Sequence, residues 1–415
     1  MTTRGRAVLG WLRGLTATAD AEDVSAVVAD QVKRGEFVAA RRTASRGLRR
    51  NPDYLDLRDQ LIGVLDYLGE GDAAFSLCLE NAEVRAADFA ARRDRRVRRR
   101  SLKPHQRVFV AGFFYSGSGA VVEYLEDFHN AMKWTRGGEL RLIKGPGGMA
   151  DMARRCRENG GLCKQDLVDH YLNIVGGKVR IVPPRTYDKW KRANTIHRRL
   201  MADDSAYGFL RVALSAFLKT AQRLEAGDQV NEARLERRFR RVMERGLDYA
   251  ATDAAVEMLV VDQAVPAHWL RLARYAPPSR FVVVHRDPRD QFSEAKPVLE
   301  RPGWKATTAS EFAARYRRRR EQATRMIPKL ERDLGHEVLE LSFEEFVAEH
   351  SSTAAKLHDF LDFPGSGRPP PEERKFRPEL SRANVGKHKD LLPQEEVDVL
   401  KVELPEYLNS LADPR

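Results

Sequence analysis

The stretch Val108-Phe109-Val110-Ala111, then Gly112-Phe113-Phe114-Tyr115-Ser116-Gly117-Ser118-Gly119, decides the fold. Four consecutive apolar residues read as a short strand covered on both faces, as strands of parallel sheets are. Ala120, Val121, Val122, Leu125 and Phe128 follow at helical spacing. The unit is therefore a strand, a Gly/Ser turn and an amphipathic helix. Glycines let a backbone approach a ligand closely. The first N–H groups of the helix have no intrahelical partner, and the macrodipole favours negative charge there. Ser116 and Ser118 add hydroxyl donors, so the turn reads as an anion-binding loop. It is not GxxxxGK[ST], because Ser118-Gly119-Ala120 stands where Gly-Lys-Ser/Thr would. Nor is it GxGxxG, which removes most of the case for ATP hydrolysis or NAD binding.

Three more apolar runs follow. Met258-Leu259-Val260-Val261 leads into Asp262 and Gln263. Phe281-Val282-Val283-Val284 leads into His285-Arg286-Asp287-Pro288-Arg289-Asp290-Gln291-Phe292-Ser293. Val338-Leu339-Glu340-Leu341 leads into Ser342-Phe343-Glu344-Glu345-Phe346. Helical stretches separate them. This alternation predicts an α/β domain, a parallel sheet flanked by helices, with ligands at the C-terminal ends of the strands.

The 415 residues suggest two or three domains, and 42% hydrophobic residues suffice for a sizeable core. Lys+Arg at 72 against Asp+Glu at 60 gives a net charge of +12. That balance implies an anionic partner: nucleic acid, a membrane surface, or a phosphate- or sulfate-bearing ligand. No nucleic-acid module is recognised, and aromatics at 8% disfavour a base-stacking platform. Cys78, Cys156 and Cys163 match no zinc or redox spacing and read as free thiols in a reducing compartment. No metal-ligand spacing appears. No apolar run approaches the about 20 residues that span a bilayer. The expected location is the cytoplasm, with peripheral contact at the inner membrane face as a further possibility of the basic surface.

Before the loop the pattern is helical. Residues 1–20 form an N-terminal segment. Residues 21–90 carry almost no strand signal but repeat at 34 residues, Gly35 with Gly69 and Ala40 with Ala74. That is the tetratricopeptide period, and the stretch resembles two such units. Glycine would serve the interhelix turn, and the small Ala a close helix approach. Residues 91–104, with Arg92, Arg93, Arg95, Arg96, Arg98, Arg99, Arg100 and Lys103, read as a basic linker or an anionic-lipid patch. The α/β domain is placed at 105–415, with a helical insertion around 190–250. Arg315-Tyr316-Arg317-Arg318-Arg319-Arg320 reads as one solvated helix face, and Arg289 and Asp290 as paired with each other or with the sheet edge.

On these residues the chain resembles the sulfotransferases that use 3′-phosphoadenosine 5′-phosphosulfate (PAPS), whose fold is similar to that of P-loop NTPases. Their loop, G-x-P-[RK]-S-G-[ST]-[ST], is matched by Gly112 to Gly119. Their 3′-phosphate site, R-[DN]-P-[RK]-D followed by a Ser, is matched by Arg286 to Asp290 and Ser293. In many members the Ser stands one position later, where this chain has Glu294. A Y/F-E-D/E-L/F turn corresponds to Phe343-Glu344-Glu345-Phe346, and a Gly/basic closing segment to Val385-Gly386-Lys387-His388-Lys389. The resemblance covers roughly residues 105–410. One departure is that Tyr115 replaces the basic residue that contacts the phosphosulfate. Lys144 and Arg141 are candidates to supply that charge from elsewhere.

The resemblance implies sulfuryl transfer from PAPS to an acceptor hydroxyl or amine by in-line displacement, without an obligatory metal. Positioning and charge stabilisation dominate such transfers. Tyr115, Ser116, Gly117, Ser118, Gly119 and Ala120 would hold the 5′-phosphate side. Arg286 and Ser293 would hold the 3′-phosphate, and Gly386 and Lys387 would close over the nucleotide. Glu139, in Gly137-Gly138-Glu139-Leu140-Arg141, is the candidate base, with His129 and His285 as weaker ones. The acceptor is a glycan or another hydroxylated metabolite. The alternatives are a catalytically idle transferase fold that binds through its repeats, or another P-loop transferase such as a kinase.

Overall fold

Each of the four apolar runs forms a strand, and a fifth strand joins them. The strands are β1 (Arg107–Gly112), β2 (Ala131–Trp134), β3 (Met258–Asp262), β4 (Arg280–His285) and β5 (Glu337–Ser342). This computed structural model describes residues 21–91, 102–134, 142–175, 204–250, 256–299, 307–363, 365 and 367–413. The sheet order is β2-β3-β1-β4-β5 and every pairing is parallel. β1 lies at the centre, with Phe109 opposite Val261 on one side and Phe281 on the other. This is the α/β class that the alternating pattern predicts. β2 was not anticipated. It is a four-residue edge strand, only half-buried up to Trp134, so it lacks the continuous apolar signature of the inner strands.

The order sets the site. From β1 the chain crosses toward β2 and β3, while from β4 it moves on to the opposite edge at β5. The connections leaving β1 and β4 therefore diverge, which opens a crevice at their C-terminal ends. The loop after Gly112 and the turn after His285 line that crevice.

Two compact units make up the chain: 1–95 with 145–235, and 96–144 with 236–415. The second holds the sheet. On one face Val108, Val110, Val282 and Val284 pack on Val121, Val122 and Leu125 of the helix Ser118–Glu126, and on Phe343 and Phe346. On the other face the Phe109 and Phe281 rings stack at 5.0 Å. A further cluster joins Phe292, Phe312, Tyr316 and Leu400, and so ties three helices near the C-terminus.

The first unit is all helical among its described residues. Ala21–Lys33 and Phe37–Arg50 form one pair, and Leu55–Tyr67 and Gly71–Ala91 another. Gly35 (φ 75°) and Gly69 (φ 78°) stand at the turns in the left-handed region, where a Cβ is disfavoured. Ala40 and Ala74 are fully buried. Asp59 accepts from Arg85 at 2.5 Å, Asn81 at 3.0 Å and Tyr171 at 2.8 Å, a buried network that ties Lys164–Val175 to these helices. The sequence reading starts a helical insertion near residue 190. In the structure the helices Lys164–Val175 and Asp204–Glu225 pack with the N-terminal ones. All three cysteines are free thiols. Among the described residues no helix is long and apolar enough to cross a membrane.

Candidate functional site

The loop turns sharply off β1. Tyr115 (φ 59°) and Gly117 (φ 79°) are both left-handed, and Gly117 caps the helix that begins at Ser118. Only glycine fits at 117: a Cβ there would lie 2.2 Å from the Phe343 ring. At Gly112 a Cβ would meet Ser116 Oγ at 2.4 Å, and Ser118 Oγ and Gln263 Nε2 at 2.6 Å. Three polar atoms thus converge above Gly112. Gln263 Nε2 donates to Ser118 Oγ at 2.6 Å, whereas the buried Ser116 hydroxyl has no hydrogen-bond partner. A Cβ at Gly119 would meet nothing within 4 Å, so the loop is open there to something outside the chain. Ala120 continues the first helical turn, its N–H bonded to the Gly117 carbonyl at 3.0 Å.

Gln263 is the residue that sequence reasoning passed over. It follows β3 with φ 50°, and its N–H bonds to the Val110 carbonyl at 3.0 Å. Its side chain reaches Ser118 while its carbonyl accepts from Lys144 Nζ. Lys144 is thereby brought beside the loop. The available signal was its place, directly after an apolar run that ends at the ligand edge. His268 lies near Lys144. Burial, then the charges of Arg319 and Lys144, push its pKa down to about 3.

The turn after β4 is built around buried charge. Arg289 forks onto Asp287 at 3.0 and 2.8 Å and reaches Asp413 at 3.2 Å. Glu344 accepts from the Asp287 N–H at 2.8 Å, so the Phe343-Glu344-Glu345-Phe346 turn pins the Arg286–Asp290 turn. Asp290 does not pair with Arg289. It accepts from the N–H groups of Gly386 (2.8 Å) and His388 (2.9 Å) and from His388 Nδ1 (2.7 Å). Burial alone would raise the Asp290 pKa, but these donors and Arg286 outweigh it and hold the carboxyl below its usual range. Arg289 is spent on Asp287 because the two side chains fork two residues apart at a helix start, leaving Asp290 to anchor the closing segment.

Arg286 sits at the centre of the crevice, its side chain 2% exposed. Nη1 donates to the Tyr115 carbonyl at 3.3 Å and lies 3.2 Å from Glu294 Oε1. Nη2 donates to the Asn384 carbonyl, the Phe343 ring lies 5.0 Å away, and Nε is buried without a hydrogen-bond partner. Tyr115 therefore joins the loop to Arg286 through its carbonyl. Lys387 Nζ lies 3.7 Å from the same Glu294 oxygen and 3.4 Å from Asn384 Oδ1. Ser293 is buried, and its hydroxyl donates back to the Asp290 carbonyl at 2.9 Å.

The arginine run is not one solvated face. Successive helical residues turn by about 100°, so six in a row point all round the helix. Arg318 faces solvent, Arg317 pairs with Glu406 at 3.2 Å, and Tyr316 donates to the Arg286 carbonyl at 2.9 Å. Arg320 lies between the rings of Phe113 (5.4 Å) and Tyr407 (5.3 Å). Burial and the Arg320 charge push His285 down to about 3. His285 and His268 are therefore neutral and weakly basic at physiological pH, which suits neither to general-base work. His129 follows the helix that returns from the loop and precedes β2, so it stands at the N-terminal end of the strands, opposite to the crevice.

Residues 177–366 match a family model described as "Sulfotransferase family". That stretch is similar to the sulfotransferase family. The chain is also similar to three solved structures. The first is sulfotransferase STF1 from Mycobacterium tuberculosis H37Rv (12% identity, TM-score 0.35, 92% of this chain and 98% of that one). The second is sulfotransferase STF9 from Mycobacterium avium (12%, 0.35, 84% and 85%). The third is the sulfotransferase domain of the Synechococcus PCC 7002 olefin synthase (12%, 0.32, 73% and 95%). Likenesses this distant carry no statement about the site. No curated protein matches the chain.

The sulfotransferase-family match includes Arg286, Ser293, Glu294 and Glu344; the Gly112–Gly119 loop and the Gly386–Lys387 segment lie outside it. The structure brings loop, Arg286 and Lys387 together, and adds Gln263, Glu294 and Asn384. Lys144 joins them through Gln263. Glu139 and Arg141, and residues 92–101 of the basic segment, lie outside the described residues.

Proposed function

We propose that this chain binds PAPS and moves its sulfuryl group to a hydroxyl or amine of an acceptor, a glycan or another hydroxylated metabolite. One observation carries the reading. A buried hydroxyl without a partner, Ser116 Oγ, faces the start of a helix beside a second hydroxyl and a buried arginine. An unpartnered buried hydroxyl is unfavourable on its own and suits a loop that awaits an anion.

When bound, PAPS supplies an activated sulfuryl group that leaves from a phosphate. The chain's residues then have separable tasks. The N–H groups of Gly117, Ser118 and Gly119, with the Ser116 and Ser118 hydroxyls, hold the 5′-phosphate side. Arg286 and Lys387 present cations to the 3′-phosphate. Lys144, held on the Gln263 carbonyl, supplies the charge that Tyr115 does not, next to the oxygen that becomes anionic. Glu139 remains the proposed base for the acceptor proton. No metal is required in this scheme. The reading carries a cytoplasmic location, with peripheral membrane contact through the basic segment at 92–103.

Calorimetric titration with adenosine 3′,5′-bisphosphate (PAP) and with ATP tests it. PAP binds and ATP binds much more weakly, because the loop lacks the lysine that holds further phosphates. Equal affinity for the two, or none for PAP, refutes the reading.

A further inference from the structure

The site already contains an anion of its own. Glu294 Oε1 lies 3.2 Å from Arg286 Nη1 and 3.7 Å from Lys387 Nζ, so one carboxylate oxygen spans both cations of the crevice. We propose that Glu294 is a specificity-determining carboxylate that occupies the place of the ligand's 3′-phosphate and lowers the preference for nucleotides that carry one. This inference rests on the PAPS reading above.

The burial pattern says which partner can move. Arg286 is 2% exposed at its side chain and is committed to the Tyr115 and Asn384 carbonyls and the Phe343 ring. Glu294 is 24% exposed and Lys387 37%. A phosphate needs the Arg286 fork for a paired grip. Only Nε lacks a hydrogen-bond partner, and the neighbouring Nη1 is shared with Glu294. The phosphate gains that grip by turning Glu294 out toward solvent, and it exchanges one ion pair for another. If Glu294 stayed, two anions would share the same cations, which is unfavourable. A nucleotide with a free 3′-hydroxyl meets no such opposition. It can donate to Glu294 in place, as ribose hydroxyls do to carboxylates. A neutral side chain at 294 frees both cations for a phosphate and removes that acceptor charge.

The test is calorimetry of PAP and of adenosine 5′-monophosphate with the native protein, Glu294→Gln and Glu294→Ser, at one salt concentration. Gln keeps the shape and Ser shortens the side chain, and a melting curve on each establishes folding. PAP affinity rises about tenfold or more in both variants, the size of one charge-assisted contact. Monophosphate affinity stays level or falls, so the ratio between the two ligands widens. Arg286→Lys separates the possible failures. If PAP binds the native protein and weakens in Arg286→Lys, yet both Glu294 variants match the native protein, the PAPS reading stands and this inference falls. If PAP fails to bind any of the proteins, both fall.

Discussion

Ser116→Ala should act on stability and on binding with opposite signs. The Ser116 residue is 1% exposed and its hydroxyl makes no hydrogen bond. Its neighbours over Gly112, Ser118 Oγ and Gln263 Nε2, are bonded to each other at 2.6 Å and so are already satisfied. An unpaired buried hydroxyl costs about 1–3 kcal/mol. The alanine removes that cost and leaves a gap of only one oxygen, so a net gain of about 1 kcal/mol is expected in the ligand-free protein. A change of that size raises Tm by roughly 2–4 °C for a unit of about 150–250 residues. Nucleotide binding moves the other way. A hydroxyl-to-phosphate bond is charge-assisted, and losing it at about 1.5–3 kcal/mol weakens PAP about ten- to a hundredfold. Scanning calorimetry of the ligand-free proteins and titration with PAP in the same buffer read both signs. A variant that melts lower than the native protein and still binds PAP equally would show the hydroxyl to be structural and refute the argument.

Asp290→Asn removes the charge that holds Gly386 and His388 and sets an amide N–H against at least one of the three donors, so amide exchange across 384–389 rises and PAP affinity falls at least tenfold, about 1.4 kcal/mol. Unchanged exchange there would refute the anchoring role. The same carboxyl gives a pH signature. Its folded pKa lies below the unfolded one, so its stabilisation is present above the unfolded value of about 4 and is lost as pH falls through the folded value. Unfolding titrations of native protein and Asp290→Asn should converge at low pH and separate near neutrality; a constant gap across that range would refute it. Lys144→Ala lowers the rate of sulfuryl transfer by several kcal/mol of barrier, on the order of a thousandfold, while PAP affinity changes much less. An equal loss in both would place Lys144 in binding alone.

Arg286→Ala is expected to do more than remove one ligand contact. In the structure its guanidinium holds the carbonyls of Tyr115 and Asn384, so truncation also loosens the loop and the closing segment. The milder Arg286→Lys is for that reason the variant paired with Glu294.

The strand, loop and helix around Gly112–Gly119 were legible because each depends on neighbours in the chain: an apolar run, left-handed turn positions, and apolar residues at helical spacing. The charged turn at Arg286–Asp290 was legible only through its resemblance to a family motif, and the glycines at the helix turns of the first unit through their 34-residue spacing. The partners of those residues were not. Asp290 looks adjacent to Arg289 in sequence, yet it bonds to Gly386 and His388 from the far end of the chain. Gln263 is an ordinary polar residue until β3 lies beside β1 and its amide reaches Ser118. Glu294 and Lys387 share Arg286's surroundings only because the segment at 384–389 folds back onto the helix Pro288–Leu299. The edge strand β2 takes its pairing from β3 rather than from its own composition. Local patterns specify which elements form, since the forces that choose them act over a few residues. Which charge meets which depends on where remote elements dock, and that is decided by burial of the shared core.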